Sequence, residues 1–304
     1  MSAVRIVVLG GGFGGVYAAR FLEKEFRPHE AEISLVNREN YFVFQPLLPE
    51  VISGSIGLTD TVAPIRRVCP RTRLYVRELE SIDLGARKVV LAPGIRPRRL
   101  ELPYDYLVIA AGSTTNLSGM SGLADHALPF RTLGDALRLR NRVFQCMEEA
   151  DTEPDPEFKR RLLTFVVGGG GFSGVEVIAE MNDFLRGSAR HYHSIRPEDI
   201  QCVLVHSRDL ILQEMDPALA RYAQNLLARR GVVLKLGARV VAATADSVII
   251  KRGDTTETIP ARTLVSTVPS GAVPLVQSLD CKKDKGGRVA VNPFLEVEGH
   301  EGRV

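Results

Sequence analysis

No run of about 18 consecutive apolar residues occurs in the 304-residue chain, so no segment is expected to cross a bilayer as a helix. Cysteine is scarce: Cys69, Cys146, Cys202 and Cys281 stand alone, without C-x-x-C or metal-ligand spacing. That pattern excludes a protein dithiol beside a cofactor and predicts four reduced thiols in a cytoplasmic protein, not disulfides or zinc. His191 and His193 form an H-x-H without a third ligand nearby, so no metal site is expected and the pair reads as a solvated loop. Charge excess is also small. The 39 Lys and Arg against 36 Asp and Glu leave +3, too little to argue for nucleic acid. Basic groups such as Arg66–Arg67, Arg98–Arg99, Lys159–Arg161 and Lys282–Lys283 read as solvated surface, with attraction to an anionic membrane face as the alternative. Met1 leads almost directly into an apolar strand pattern, which leaves no room for a signal peptide.

What the chain does have is glycine in a pattern that occurs twice. Arg5–Gly15 (RIVVLGGGFGG) and Thr164–Glu176 (TFVVGGGGFSGVE) each place a short apolar run before G-x-G-x-x-G. The glycines are Gly10, Gly12 and Gly15 in the first, and Gly169, Gly171 and Gly174 in the second. A helical pattern follows each: Ala18, Leu22 and Phe26, then Val175, Ile178, Met181 and Leu185. The first glycine allows the tight turn, the second lets backbone approach a pyrophosphate, and the third lets helix and strand pack closely. The helix start then offers unpaired N–H groups to the anion. One such motif is weak evidence, but two framed as strand–turn–helix half a chain apart predict two dinucleotide sites. The expected fold is α/β, with two doubly wound Rossmann-like domains and the second inserted into the first. Residues 1–120 begin the first domain, 121–268 form the second, and 269–304 return to the first.

In each half the second strand ends without the acid that usually holds a ribose. Asn37 follows Glu32–Val36 in the first half, with Arg38 and Glu39 behind it. An amide oxygen can accept one hydroxyl there, without charge assistance. In the second half Gln201–Val205 ends at His206, followed by Arg208. A neutral residue beside an arginine removes repulsion of a 2′-phosphate, so NADPH is expected to be tolerated. Tyr104–Gly112 reads as a buried strand ending in Ala111 and Gly112, which suit either close cofactor approach or a simple strand-to-loop glycine. Leu74–Leu91 suggests short antiparallel strands, Thr132–Ala150 a helix capped by Thr132, and Asp151–Glu157 an exposed linker. The aromatic stretch Tyr41–Phe44 reads equally as the lining of a site or as packing, and Arg288–Val291 as an apolar strand.

Two dinucleotide sites in one chain suggest electron transfer, with a nicotinamide on the second unit reducing a flavin on the first. Without a dithiol the acceptor must be external. Glu176, just past Gly174, is either an exposed carboxylate at a helix start or a proton-handling group.

These stretches, together with NYFVFQPLLPEV, TVAPIRRV, LPYDYLVIAAGSTTN, ALPFRTLGDALRLRNRV and NPFLEVEGHEGRV, resemble the pyridine nucleotide-disulfide oxidoreductase superfamily. Within it, the chain is similar to the type II NADH dehydrogenases over nearly its whole length. The resemblance implies FAD on the first unit, held through Gly10, Gly12, Phe13, Gly14, Gly15, Asn37 and Arg38, with Ala111 and Gly112 close by. Gln45 matches a segment bordering the flavin. It implies NAD(P)H on the second unit, through Gly169, Gly171, Phe172, Ser173 and Gly174, with His206 and Arg208 at the ribose. It further implies a membrane quinone as acceptor and assigns Glu176, the glutamate of GVE, to the coupling of the two half-reactions. A peripheral position on the inner face of the plasma membrane and a homodimer belong to the same expectation.

Departures are Asn37 and His206 in place of acids, and TLVSTVPSG (Thr263–Gly271) where a W-T-A-G-like stretch is usual. The chain also ends at Val304, where the resemblance leads into a flavin-contacting G-D motif and a C-terminal quinone and membrane region. It therefore reads as part of a longer enzyme. The competing readings are a soluble flavin reductase serving a small redox protein and a nucleotide-binding module without turnover.

Overall fold

The computed structural model describes residues 3–114, 120–267 and 271–304. It divides into two compact α/β units. One comprises Met1–Phe44, Val62–Thr115 and Ser270–Val304, and the other comprises Gln45–Thr61 and Asn116–Pro269.

The first unit is built on a parallel sheet in the order Arg73–Val76, Ala31–Asn37, Val4–Leu9, Tyr106–Ile109. Side chains alternate across it. Ile6 and Val8 pack with Val16 and Ala19 of the helix Phe13–Glu25, while Val7 and Leu9 pack with Val89, Leu91 and Leu102 on the other face. Those last three belong to an antiparallel sheet of Leu79–Asp83, Lys88–Leu91 and Leu100–Pro103. The antiparallel pairing expected between residues 74 and 91 is therefore right only from Leu79 onward. Arg73–Val76 instead extends the parallel sheet beside Ala31–Asn37, where Leu74 joins the buried core.

The second unit repeats the plan. Its parallel sheet runs Ala127–Pro129, Thr263–Ser266, Thr164–Gly168, Gln201–His206, Val232–Leu236. Val166, Val203 and Leu264 pack with Val248, Ile250 and Ile259 of the antiparallel sheet formed by Arg239–Ala243, Ser247–Arg252 and Thr255–Pro260. Thr164–Gly168 is buried at every residue, as a central parallel strand should be. The helix Leu133–Thr152 starts at a capping box between Thr132 and Asp135.

Three sequence expectations need correction. Residues 45–61, expected within the first domain, cluster with the second unit. The cause is local: Leu48, Val51 and Ile52 of the short helix Leu48–Ser53 are buried against the helices Leu133–Thr152 and Phe172–Ser188. Arg140 fixes the end of that helix by donating from Nη1 to the carbonyls of Val51 and Ile52, each at 3.2 Å. The exposed linker expected over Asp151–Glu157 shrinks to residues 153–155, between the end of the helix Leu133–Thr152 and the start of a helix Pro156–Leu162. Asp155 caps it, and Pro156 occupies a first-turn position whose N–H would be unpaired in any case. Arg288–Val291 forms isolated bridges, Lys283 with Val289 and Val291 with Val297, and no strand. The expected return to the first domain at residue 269 lies outside the described residues. Among the described residues no helix is long and apolar enough to cross a membrane.

Candidate functional site

Each unit carries a glycine turn at the carboxyl end of its central strand, and the two turns share their geometry. Gly10 and Gly169 adopt φ of +105° and +119°, a region that side chains avoid. A Cβ on Gly10 would sit 2.2 Å from the Ala110 carbonyl oxygen, and one on Gly169 would sit 2.5 Å from Thr267 Oγ1. A Cβ on Gly15 would lie 1.8 Å from the Gly10 carbonyl oxygen, and one on Gly174 would lie 1.9 Å from that of Gly169. These positions are closed by the protein itself. Gly12 and Gly171 are different: a Cβ on either meets nothing within 4 Å. Both are helix N-caps without a side-chain cap, and neither helix has an acid in its first turn. The helix starts thus have open space beside them and a favourable helix dipole, which is what a pyrophosphate requires.

In the first unit the turn is held by Asn37, whose Oδ1 accepts from the Gly11 N–H at 2.9 Å. Its Nδ2 donates to the Glu39 carbonyl at 2.9 Å. The side chain proposed from sequence to hold a ribose is thus engaged at both ends in shaping the loop. Arg38 is exposed and 3.9 Å from Glu78. Gly112 has φ +72° with open space where a Cβ would be, while the close approach to the turn comes from Ala110, one residue before Ala111. Phe13, first in its helix, stacks edge-on with Phe42 at 4.9 Å and Phe44 at 5.5 Å. The aromatic stretch therefore packs in part, with Phe42 buried and Phe44 40% exposed.

The second turn opens on a cavity of about 400 Å³ lined by Gly169, Gly171, His206, Glu214, Arg239 and Thr267 among others. His206 plays the part Asn37 plays in the first unit: its Nδ1 accepts from the Gly170 N–H at 3.1 Å. This bond requires an unprotonated Nδ1. Burial first of all, and then the charge of Arg208, push the imidazole below its ordinary range. His206 Nε2 is buried and has no hydrogen-bond partner. Arg208 is exposed and does not line the cavity, whereas Arg239 does. Sequence reasoning missed Glu214, Arg239 and Thr267. The first two come from a loop and from the first residue of an antiparallel strand, where no local pattern marks them. Thr267 was legible, because it follows a buried strand of the nucleotide sheet. Its hydroxyl donates to the Gly168 carbonyl at 3.0 Å.

Also in the second unit, Glu176 is the fifth residue of the helix Phe172–Ser188, behind the exposed Phe172 and Ser173 and outside the first turn. The helix dipole at the first turn is therefore not what places it. Its carboxyl is held above the usual range, first by desolvation and second by the charge of Glu50. Taken whole the residue is solvent-exposed, so the desolvation is that of one side of the carboxyl group. Glu50 Oε2 is buried without a hydrogen-bond partner. One helical turn beyond Glu176, Glu180 Oε1 accepts from Ser55 Oγ at 3.3 Å. Gln45 donates from Nε2 to the Arg131 carbonyl at 3.2 Å. The segment 45–61 and the nucleotide helix thus share a carboxylate-rich contact, which no motif reading of either would have joined.

All four cysteines are unpaired, and three are buried. Burial pushes the Cys69 thiol up to about 11 and the Cys202 thiol up to about 12, far from the range of a reactive thiolate.

Comparison with known proteins agrees with this geometry. The chain is 33% identical to the type II NADH:quinone oxidoreductase NdhA of Mycobacterium tuberculosis over 97% of its length, and it spans 64% of that relative. It is 30% identical to the demethylphylloquinone reductase NdbB of Synechocystis over 97% of its length, spanning 69% of that protein. NDH2 from Plasmodium falciparum, solved in complex with NADH, shares the fold with a TM-score of 0.81 at 23% identity, over 90% of this chain and 56% of that one. Residues 4–302 match the profile of one family, and the chain belongs to it: the pyridine nucleotide-disulphide oxidoreductases.

Proposed function

We propose that the chain carries the nucleotide-binding machinery of an FAD-dependent NAD(P)H dehydrogenase that delivers electrons to a quinone. One observation carries this reading: the same cradle is built twice, each with an uncapped helix start and a glycine whose missing side chain leaves space for a ligand. FAD fits the first cradle through Gly12, Phe13 and Gly14, and NAD(P)H fits the second through Gly171, Phe172 and Ser173. When bound, FAD supplies the hydride and electron chemistry that no side chain of this chain can perform. The protein's own part is to hold two pyrophosphates at helix starts and to keep Asn37 and His206 locked against the turns. Glu176 holds a proton more tightly than an ordinary carboxylate and is the group suited to passing one on.

A quinone as acceptor is supported by the names of the similar proteins and by the four solitary cysteines, which offer no internal dithiol for electrons. Quinones of respiratory membranes partition into lipid, so this reading places the enzyme at a membrane surface. Equilibrium binding tests it. One FAD and one NADH are expected per chain, with Gly12→Val losing the first and Gly171→Val the second. Loss of both ligands from both variants, or binding of neither by the unaltered chain, would overturn the assignment.

A further inference from the structure

The second unit has another cavity, of about 380 Å³, within the ~300–1,000 Å³ range of small-ligand sites. It lies at the amino end of the parallel strands, opposite the carboxyl end that carries the glycine turn. Ala127 and Thr263, which line it, begin their strands, whereas the turn follows the last residue of the parallel strand Thr164–Gly168. It is therefore not part of the dinucleotide cradle.

Its main wall is one stripe of the helix Leu133–Thr152. Arg138, Asn141, Arg142 and Gln145 recur at i, i+3, i+4 and i+7, beside the buried stripe of Leu139, Val143 and Cys146. Two arginines one turn apart repel each other and oppose helix formation. Neither has a carboxylate partner to offset this. Arg142, half-buried, donates from Nη2 to the Arg262 carbonyl at 3.2 Å and from Nη1 to Gln145 Oε1 at 3.5 Å, both neutral acceptors. Arg138 is exposed and makes no hydrogen bond or ion pair among the described residues. Across the cavity Arg262 is set in place: its guanidinium lies 4.9 Å over the Phe158 ring and its Nε is 3.4 Å from Asp246. Asp125 is the single carboxylate on the lining, exposed and in no ion pair. Three arginines thus line one concave space, two of them held in place by the protein and two in no ion pair among the described residues.

We propose that this cavity binds a small, multiply charged anion of phosphate or carboxylate chemistry, gripped by Arg138, Arg142 and Arg262. Guanidinium forks match both oxyanion types bidentately, and a preset pair costs little to order on binding. The site is independent of the dinucleotide reading.

Calorimetric titration tests it. The unaltered chain is loaded with FAD and NADH so that the glycine cradles are occupied, then titrated separately with pyrophosphate and with citrate at low ionic strength. Saturable binding of at least one is expected, weakening as salt rises. Arg138→Gln and Arg142→Gln should each reduce affinity about tenfold, and the double variant more. Arg138→Gln removes no hydrogen bond or ion pair among the described residues, and an unchanged thermal midpoint separates its effect from a loss of folding. Binding of pyrophosphate alone identifies a phosphate ligand, and binding of citrate alone a carboxylate. No binding of either at millimolar concentration, or binding unaltered in both variants, overturns the proposal. If NADH fails to bind while arginine-dependent pyrophosphate binding persists, the dinucleotide reading fails and this one stands.

Discussion

The Gly170 N–H donates to Nδ1 of His206 at 3.1 Å, so the histidine at the end of the second strand is a fastener of the glycine turn. Asn37 does the same for Gly11 in the other unit, at 2.9 Å. Each residue stands where an acid would be expected to bind a ribose. Both are engaged with their glycine turns, and each keeps further hydrogen-bonding capacity on a partly exposed side chain.

This bond makes stability depend on pH through His206. Protonation would set an N–H against the Gly170 N–H, and burial holds the imidazole below its ordinary 6.5. The unfolded chain therefore takes up a proton before the folded one does. Stability should be complete above pH 6.5, fall as pH drops below that value toward the folded-state pKa, and then level off. Denaturant midpoints measured between about pH 5 and 8 should show this slope, and His206→Gln should flatten it. An identical slope in the variant would assign the effect to other groups.

The glycines divide into two classes. Gly15→Ala and Gly174→Ala bring a methyl group within 2 Å of a backbone oxygen and should destabilise their units severely, by roughly 3 kcal/mol or more. Gly12→Val and Gly171→Val enter open space, so thermal midpoints should barely move while dinucleotide affinity falls at least tenfold. Midpoint and affinity measured on all four variants check the division. Equal thermal losses in both classes would contradict it.

Cofactor preference should follow the residues that line the second cavity, Glu214 and Arg239, and not Arg208. A carboxylate favours free ribose hydroxyls and repels a 2′-phosphate, and a guanidinium does the reverse. Glu214→Gln is expected to shift the NADPH-to-NADH ratio of kcat/KM upward about tenfold, and Arg239→Gln downward by a similar factor. Arg208→Gln should leave the ratio within about twofold, being exposed and off the lining.

Glu176 should titrate above an ordinary glutamate, and part of that rise comes from Glu50. Glu50→Gln removes the neighbouring charge, so the acidic limb of the quinone-reduction pH profile should move to lower pH. Glu176→Gln should slow quinone reduction about a hundredfold while leaving nucleotide affinity unchanged. A raised carboxyl pKa also means stability is lost as pH rises through it, so Glu176→Gln should not destabilise the protein at neutral pH.

The repeat was legible because strand, turn and helix lie within some 20 consecutive residues, and each glycine answers a local steric demand. Asn37 and His206 were found by strand-end position, but their bonds to the glycine turns were not foreseen. Their bonds reach back 26 and 36 residues to Gly11 and Gly170, a pairing set by strand register and by no local pattern. Glu214 and Arg239 were invisible for the same reason. The allegiance of residues 45–61 depended on Arg140 capping a helix 88 and 89 positions away in sequence, which periodicity cannot show.

If the two cradles serve one electron path, a nicotinamide bound at the second reduces a flavin bound at the first. That transfer is tested most directly by anaerobic titration of the FAD-reconstituted chain with NADH and separately with NADPH, following flavin absorbance near ~450 nm. Bleaching by at least one nucleotide is expected, abolished by Gly171→Val although flavin stays bound. Flavin that binds yet is bleached by neither nucleotide would contradict it.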